Sequence, residues 1–246
     1  MTSTPAPAAR LTARGLVRRY GGIEAVAGVD LVAPAGRITA LIGPNGAGKS
    51  TLFDCLAGTA RPDAGRVLLG GRDVTGVPAH RRVRLGLART FQQIAVFPTL
   101  SVADNVRVGA EQRGGRTDAR AAAGRTDRAL GLLGLRGIAA ESAGAQPTGV
   151  LRLVELARAL AGGPRVLLLD EPAAGLDAVQ TARLVTVLRD LAGRGMALLL
   201  VEHDAELVAE LADSVYAMAA GRVVAAGPTA AVLADPRVAG AWGSST

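Results

Sequence analysis

The chain has one cysteine, one lysine and an aromatic content of 2%, and each scarcity excludes something. Cys55 alone cannot form an internal disulfide, and it falls on an apolar helix face as a small buried hydrophobe. With so few aromatics, the net charge of +7 and a pI near 11.0 lack the stacking platform of a nucleic-acid binder. The arginines are scattered, which reads as a solvated basic surface, and no nucleic-acid partner is expected. No basic cluster adjoins an amphipathic anchor. Apolar runs such as Ala197 to Val201 fall far short of the roughly 20 residues of a membrane span. Residues 1–10 are rich in Pro, Ala, Ser and Thr without an apolar centre, so the sequence predicts a disordered tail rather than a secretory leader. A cytoplasmic protein is the expectation. The remaining 11–246 are long enough for one large α/β domain with a subdomain.

The lone lysine is informative because of where it stands. Lys49 lies in Gly43-Pro44-Asn45-Gly46-Ala47-Gly48-Lys49-Ser50, between an apolar strand and a helix. That is the G-x-x-x-x-G-K-[ST] phosphate-binding pattern. Glycines let successive backbone N–H groups turn inward around a polyphosphate at a helix start. Lys49 reaches the outer phosphates, and Ser50 places a hydroxyl where Mg²⁺ bridges them. Thr51 leads into Leu52, Phe53, Cys55 and Leu56, the apolar side of the following helix. Every other basic residue is arginine, a planar fork too broad for a narrow phosphate cradle.

Along the chain, short apolar runs from Leu11 to Val32, broken at Tyr20-Gly21-Gly22 and Ala27-Gly28, predict antiparallel strands. Ile38 to Ile42 is the first buried strand and feeds the phosphate loop. A turn at Arg61 to Gly65 leads to a short strand at Val67 to Leu69, closed by Gly70-Gly71. Residues 97–160 change character, with Ala- and Arg-rich stretches and spaced leucines, and predict a helical insertion ending in a helix over 150–161. Val166 to Leu169 reads as a buried parallel strand. An amphipathic helix around Leu184 to Leu191 precedes another strand, Ala197 to Val201. Val215 to Ala226 then reads as a hairpin, and Pro228 opens a final helix. His80, in an Arg-rich turn, is expected to be exposed and without a role.

Asp170 and Glu171 end the strand at Val166, where ligands bind in open α/β sheets. Asp170 can hold Mg²⁺ through water, and Glu171 is placed to take the proton of a water attacking the γ-phosphate. A strand-end acid can equally be a helix cap; the upstream phosphate loop favours chemistry.

With these motifs in order, nearly the whole chain resembles an ATP-binding cassette ATPase, the nucleotide-hydrolysing subunit of a transporter. The resemblance implies a P-loop (RecA-like) core, an N-terminal antiparallel β subdomain and an inserted α-helical subdomain. It implies ATP and Mg²⁺ as ligands. Tyr20 corresponds to an aromatic that stacks on adenine, although it reads equally as an ordinary strand tyrosine. Gln92, in Arg89-Thr90-Phe91-Gln92-Gln93, matches a glutamine that contacts Mg²⁺ and the attacking water and signals to the membrane domain; Gln93 is the alternative assignment. Asp177, in Ala174-Gly175-Leu176-Asp177, lies in a loop crossing the dimer interface. His203, in Leu200-Val201-Glu202-His203-Asp204, matches the histidine that bonds the γ-phosphate. The strings Tyr20 to Val26, Gly86 to Gln92 and Asp170 to Leu176 resemble the branched-chain amino acid uptake class, with urea and lipopolysaccharide cassettes similarly worded.

One motif departs from the pattern. The Leu-Ser-Gly-Gly-Gln signature, which grips the nucleotide of the opposite subunit, is replaced by Gln146-Pro147-Thr148-Gly149-Val150. Proline at the serine position removes a hydroxyl and an N–H. Gly149 survives, and Thr148 either offers a hydroxyl or caps the helix. The expectation is an asymmetric heterodimer with a second cassette subunit, peripheral on the inner membrane face, with permease subunits and, indirectly, a solute-binding protein as partners. A cassette that gates binding outside transport is the contrasting reading, disfavoured by the absence of a tandem cassette or sustained heptads. A small kinase or GTPase is disfavoured by Glu171 and His203.

Overall fold

The computed structural model describes residues 9–91, 93–112 and 118–238. Two sheets enclose one helix. The first is four-stranded and antiparallel, in the order β2-β1-β4-β5, from β1 (Ala9–Tyr20), β2 (Ile23–Pro34), β4 (Ala64–Leu69) and β5 (Arg72–Asp73). The second has six strands in the order β10-β9-β3-β8-β7-β6. Its members are β3 (Ile38–Ile42), β6 (Leu87–Arg89), β7 (Val166–Asp170), β8 (Ala197–Val201), β9 (Ser214–Ala219) and β10 (Arg222–Pro228). All its pairings are parallel except β9 with β10.

The apolar runs of β3, β7 and β8 are buried along their whole length because both faces of the sheet are covered. Alternation along each strand divides its residues between two cores. Ile38, Ala40, Ile42, Leu167, Leu169, Leu198 and Leu200 face a core of helices: α3 (Val102–Glu111), α4 (Ala119–Leu133), α5 (Thr148–Ala161), α6 (Ala178–Gly193) and α7 (Ala205–Leu211). Leu41, Val166, Leu168, Leu199 and Val201 face the other core, with α1 (Lys49–Ala57) and the antiparallel sheet. Sandwiched between sheets, α1 buries Leu52, Phe53, Cys55 and Leu56 completely. Burial pushes the Cys55 thiol up to about 11, leaving it an inert core residue.

Several boundaries differ from those the sequence predicts. Residues 9 and 10, expected in the tail, already belong to β1. The chain does not break at Ala27-Gly28: β2 runs through Gly28, whose positive φ of 74° accommodates a shift in register against β1. The segment carrying His80 is a helix, α2 (Ala79–Arg84), rather than a turn, with His80 exposed on it. The same helix corrects the reading of the arginines as wholly solvated. Arg82 is 1% exposed, and among the described residues no carboxylate forms a salt bridge with it. Its Nη1 donates to the carbonyls of Cys55 (2.8 Å) and Leu56 (2.7 Å), and Nη2 and Nε donate to Thr75 and Val77. A cation thereby satisfies the orphan carbonyls at the negative end of α1, the helix that begins with the phosphate loop.

Downstream, α3, α4 and α5 pack on one another. The hairpin turn at Ala220-Gly221 has φ of 46° and 78°, the mirror-image turn that right-twisted strands require. Pro228 is the N-cap residue of α8 (Thr229–Leu233) rather than its first residue.

Candidate functional site

The phosphate loop leaves β3 at Gly43 and enters α1 at Lys49. Gly48, at φ 100°, is the N-cap residue; a Cβ there would stand 2.1 Å from the Ala25 carbonyl oxygen. Only glycine permits so close a pass. Across the loop, the Gly221 N–H donates to the Ala47 carbonyl (3.0 Å) and the Ala27 N–H to the Gly221 carbonyl (2.8 Å), so the β9–β10 turn braces it. Lys49 is 6% exposed, and its Nζ donates to the carbonyls of Gly43 (2.6 Å) and Pro44 (2.9 Å). Those carbonyls hold the ammonium at the cradle, while burial lowers its pKa.

A cavity of about 200 Å³ opens above the loop. Asn45, Gly46, Ala47, Gly48, Lys49, Ser50 and Thr51 line one side, and Asp170, Glu171 and His203 the other. Residues far apart in sequence meet because β7 and β8 are neighbours and β8 adjoins β3. Asp170 is 3% exposed, and burial raises its pKa against the opposing pull of Arg89, whose Nη2 lies 3.4 Å from Oδ2. Glu171 takes a left-handed φ of 47°, which costs a non-glycine residue on the order of 1–3 kcal/mol. Its N–H donates to the Val201 carbonyl (3.0 Å), and its Oε1 lies 3.0 Å from His203 Nε2.

Two groups around this site were missed in the sequence. Glu202 is 5% exposed; Oε1 accepts from the Ala173 N–H (3.2 Å) and Oε2 from the His203 N–H (3.3 Å). It thus ties the segment after Glu171 to the one bearing His203. Burial raises its pKa. Its sequence signal is weak, an acid at the end of an apolar strand. Arg89 and Asp54 form the other group, with Nη1 to Oδ1 at 2.5 Å; no local pattern connects them.

The remaining predicted residues lie elsewhere. The carbonyls of Gly43 and Pro44 hold Lys49, but neither residue lines the cavity. Tyr20, 48% exposed, also stands outside the lining, its ring under Arg18 at 4.6 Å. Gln92 falls outside the described residues, and Gln93 is exposed. Pro147 is the N-cap residue of α5 and supplies no side-chain bond. Thr148 therefore does not cap the helix, contrary to one of the two readings of it; it is the first helical residue and exposed. Gly149 is buried, where a Cβ would lie 2.7 Å from the Gly175 carbonyl and 3.0 Å from Gln180 Oε1. Asp177 caps α6: its Oδ1 accepts from the Gln180 N–H (2.8 Å), and Gln180 Oε1 accepts from the Asp177 N–H (3.2 Å). A second concavity, about 360 Å³ and mainly apolar, includes Ala57, Val83, Phe91, Phe97, Val108 and Arg158.

A glycine-rich phosphate loop, a buried lysine and carboxylates at the end of a parallel strand one removed from the strand that feeds the loop define a P-loop nucleoside triphosphatase. The chain belongs to the ABC transporter family, whose model matches residues 26–174, and is an ATP-binding ATPase subunit of that family. It is 35% identical to the high-affinity branched-chain amino acid transport ATP-binding protein BraF of Pseudomonas aeruginosa, over 94% of this chain and 96% of that one. It is 40% identical to the sulfate/thiosulfate import ATP-binding protein CysA of Mycolicibacterium paratuberculosis, over 87% of this chain but 58% of that protein. Among solved structures, the ADP conformation of MJ1267, an ATP-binding cassette of an ABC transporter, superposes with a TM-score of 0.85 at 27% identity, covering 96% of this chain and 99% of that one. No helix among the described residues is long and apolar enough to cross a membrane.

Proposed function

We propose that this chain hydrolyses MgATP to energise import of branched-chain amino acids, using Glu171 as the base and His203 as its partner. The contact between Glu171 Oε1 and His203 Nε2 at the cavity wall, opposite Lys49, carries the reading. Lys49 and the loop N–H groups bind and neutralise phosphate oxygens; Glu171 accepts a proton from the attacking water; His203 donates to the γ-phosphate. Ser50 and Asp170 are hard oxygen donors on facing walls of one cavity, a set that fits Mg²⁺. That ion takes one or two protein oxygens and completes its shell with phosphates and water. When bound, Mg²⁺ would supply neutralisation of the negative charge on the phosphate oxygens. Gln92 would join it, and Tyr20 would meet the adenine.

The solute assignment rests on shared length rather than on identity: the match to BraF spans both chains almost entirely, whereas the match to CysA, although higher in identity, covers little more than half of that protein. The apolar concavity beside Phe91 and Phe97 suits a short helix of a permease subunit on the inner membrane face. We assign the second cassette subunit to a different chain, because Pro147 removes the hydroxyl and N–H that a signature serine would offer an opposite nucleotide. Asp177 at the start of α6 belongs to the same dimer face.

Purification with the permease subunits and solute uptake in vesicles test the assignment. Leucine, isoleucine or valine uptake that needs intact Lys49 is expected; sulfate uptake alone would overturn the solute. Weak ATPase activity of the isolated chain is expected, and brisk homodimer turnover would remove the heterodimer.

A further inference from the structure

Arg89 links three features of the fold: the carboxylate of Asp170, the acid Asp54 on α1 and the wall of the apolar concavity. The side chain is 9% exposed. Its two terminal nitrogens face different carboxylates, Asp54 Oδ1 at 2.5 Å and Asp170 Oδ2 at 3.4 Å. The first contact is a full charge-assisted hydrogen bond and the second a loose one. Nε is buried and has no hydrogen-bond partner among the described residues, so the two ends of the fork are its anchors. The guanidinium carbon lies 5.7 Å from the centroid of the Phe53 ring and 5.2 Å from that of Phe91. Ring faces tolerate lateral sliding of a cation, because their attraction is broad compared with a hydrogen bond.

We propose that Arg89 is a positioning residue that occupies Asp170 as a placeholder cation until metal–nucleotide arrives, and that Asp54 is the anchor that draws it aside. An ionised Asp170 without a cation would be costly at 3% exposure. Arg89 stabilises the charge, but the same guanidinium competes with Mg²⁺ for it. Asp54 resolves the conflict by holding the fork nearly 1 Å closer to itself, so that Asp170 is screened without being captured. Arg89 and Phe91 both line the concavity proposed to receive the permease helix, so a helix pressing on the Phe91 ring bears on the same guanidinium.

The inference rests on the reading of Asp170 as a Mg²⁺ carboxylate, and opposite signs separate it from a structural role. Binding of a fluorescent ATP analogue to the purified chain is titrated with Mg²⁺ and repeated in EDTA, with thermal melts alongside. Asp54→Asn leaves Arg89 with Asp170 as its only carboxylate among the described residues, so the Mg²⁺ needed for half-maximal tightening should rise about tenfold. Arg89→Met should lower it several-fold, the double variant should follow Arg89→Met, and EDTA affinities should stay unchanged. Shifts of the same sign in both single variants, or none in Asp54→Asn, whose half-buried carboxylate lies outside the apolar core, would overturn the proposal. If nucleotide affinity of the unaltered chain ignores Mg²⁺, the metal reading of Asp170 falls and this inference falls with it.

Discussion

Glu171 Oε1 and His203 Nε2 stand 3.0 Å apart although 32 positions separate them in the chain. Parallel pairing of β7 with β8 ends both strands at one level, Asp170 opposite Val201, and each strand releases its next residues into the same cavity. Glu171→Gln keeps the shape and removes the base. Nucleotide binding should persist while steady-state phosphate release falls by about 100-fold or more, the usual contribution of a positioned base. Unchanged turnover would take Glu171 out of the reaction.

Lys49→Ala should abolish tight ATP binding measured by equilibrium dialysis. Lys49→Arg should not restore it, because the buried site holds a compact ammonium against two loop carbonyls and has no room for a planar fork.

Pro147→Ser supplies α5 with the side-chain cap it lacks. The melting curve should report a gain of about 1 kcal/mol. If the missing serine is also what weakens an opposite site, ATPase activity of the isolated chain should rise in the same variant; a gain in stability alone would confine Pro147 to capping.

Gly149→Ala places a methyl 2.7 Å from the Gly175 carbonyl. The loop before α6 must shift, at a cost of about 1–3 kcal/mol. Denaturant unfolding checks the loss, and a neutral result would show that α5 can slide away from that loop.

Glu202 gives a pH dependence with a definite sign. Burial lifts its folded pKa above the ordinary 4.5. The stability contributed by its proton is complete below that ordinary value and is lost as pH rises through the raised one. Glu202→Gln, neutral throughout, should flatten the melting temperature against pH across that window while leaving the curve outside it parallel. An unaltered slope would mean that its carboxylate is not penalised in the folded chain.

The sequence by itself determined the parts whose chemistry is local. Gly43 to Ser50 must form a phosphate loop because only that spacing of glycines turns N–H groups inward ahead of a lysine. The apolar runs at 166–169 and 197–201 must lie in a covered sheet, and Pro147 cannot offer the hydroxyl and N–H of a signature serine. Tertiary structure decided whatever depends on which strands are neighbours. It brought Glu171 to His203, buried Glu202 between their backbones, set Arg89 between Asp54 and Asp170, and sent Arg82 into the core to cap α1. It also left Tyr20 beside Arg18, away from the cavity lining. Strand order is a global property of packing, and a charge 35 residues from its partner leaves no periodic trace in the chain.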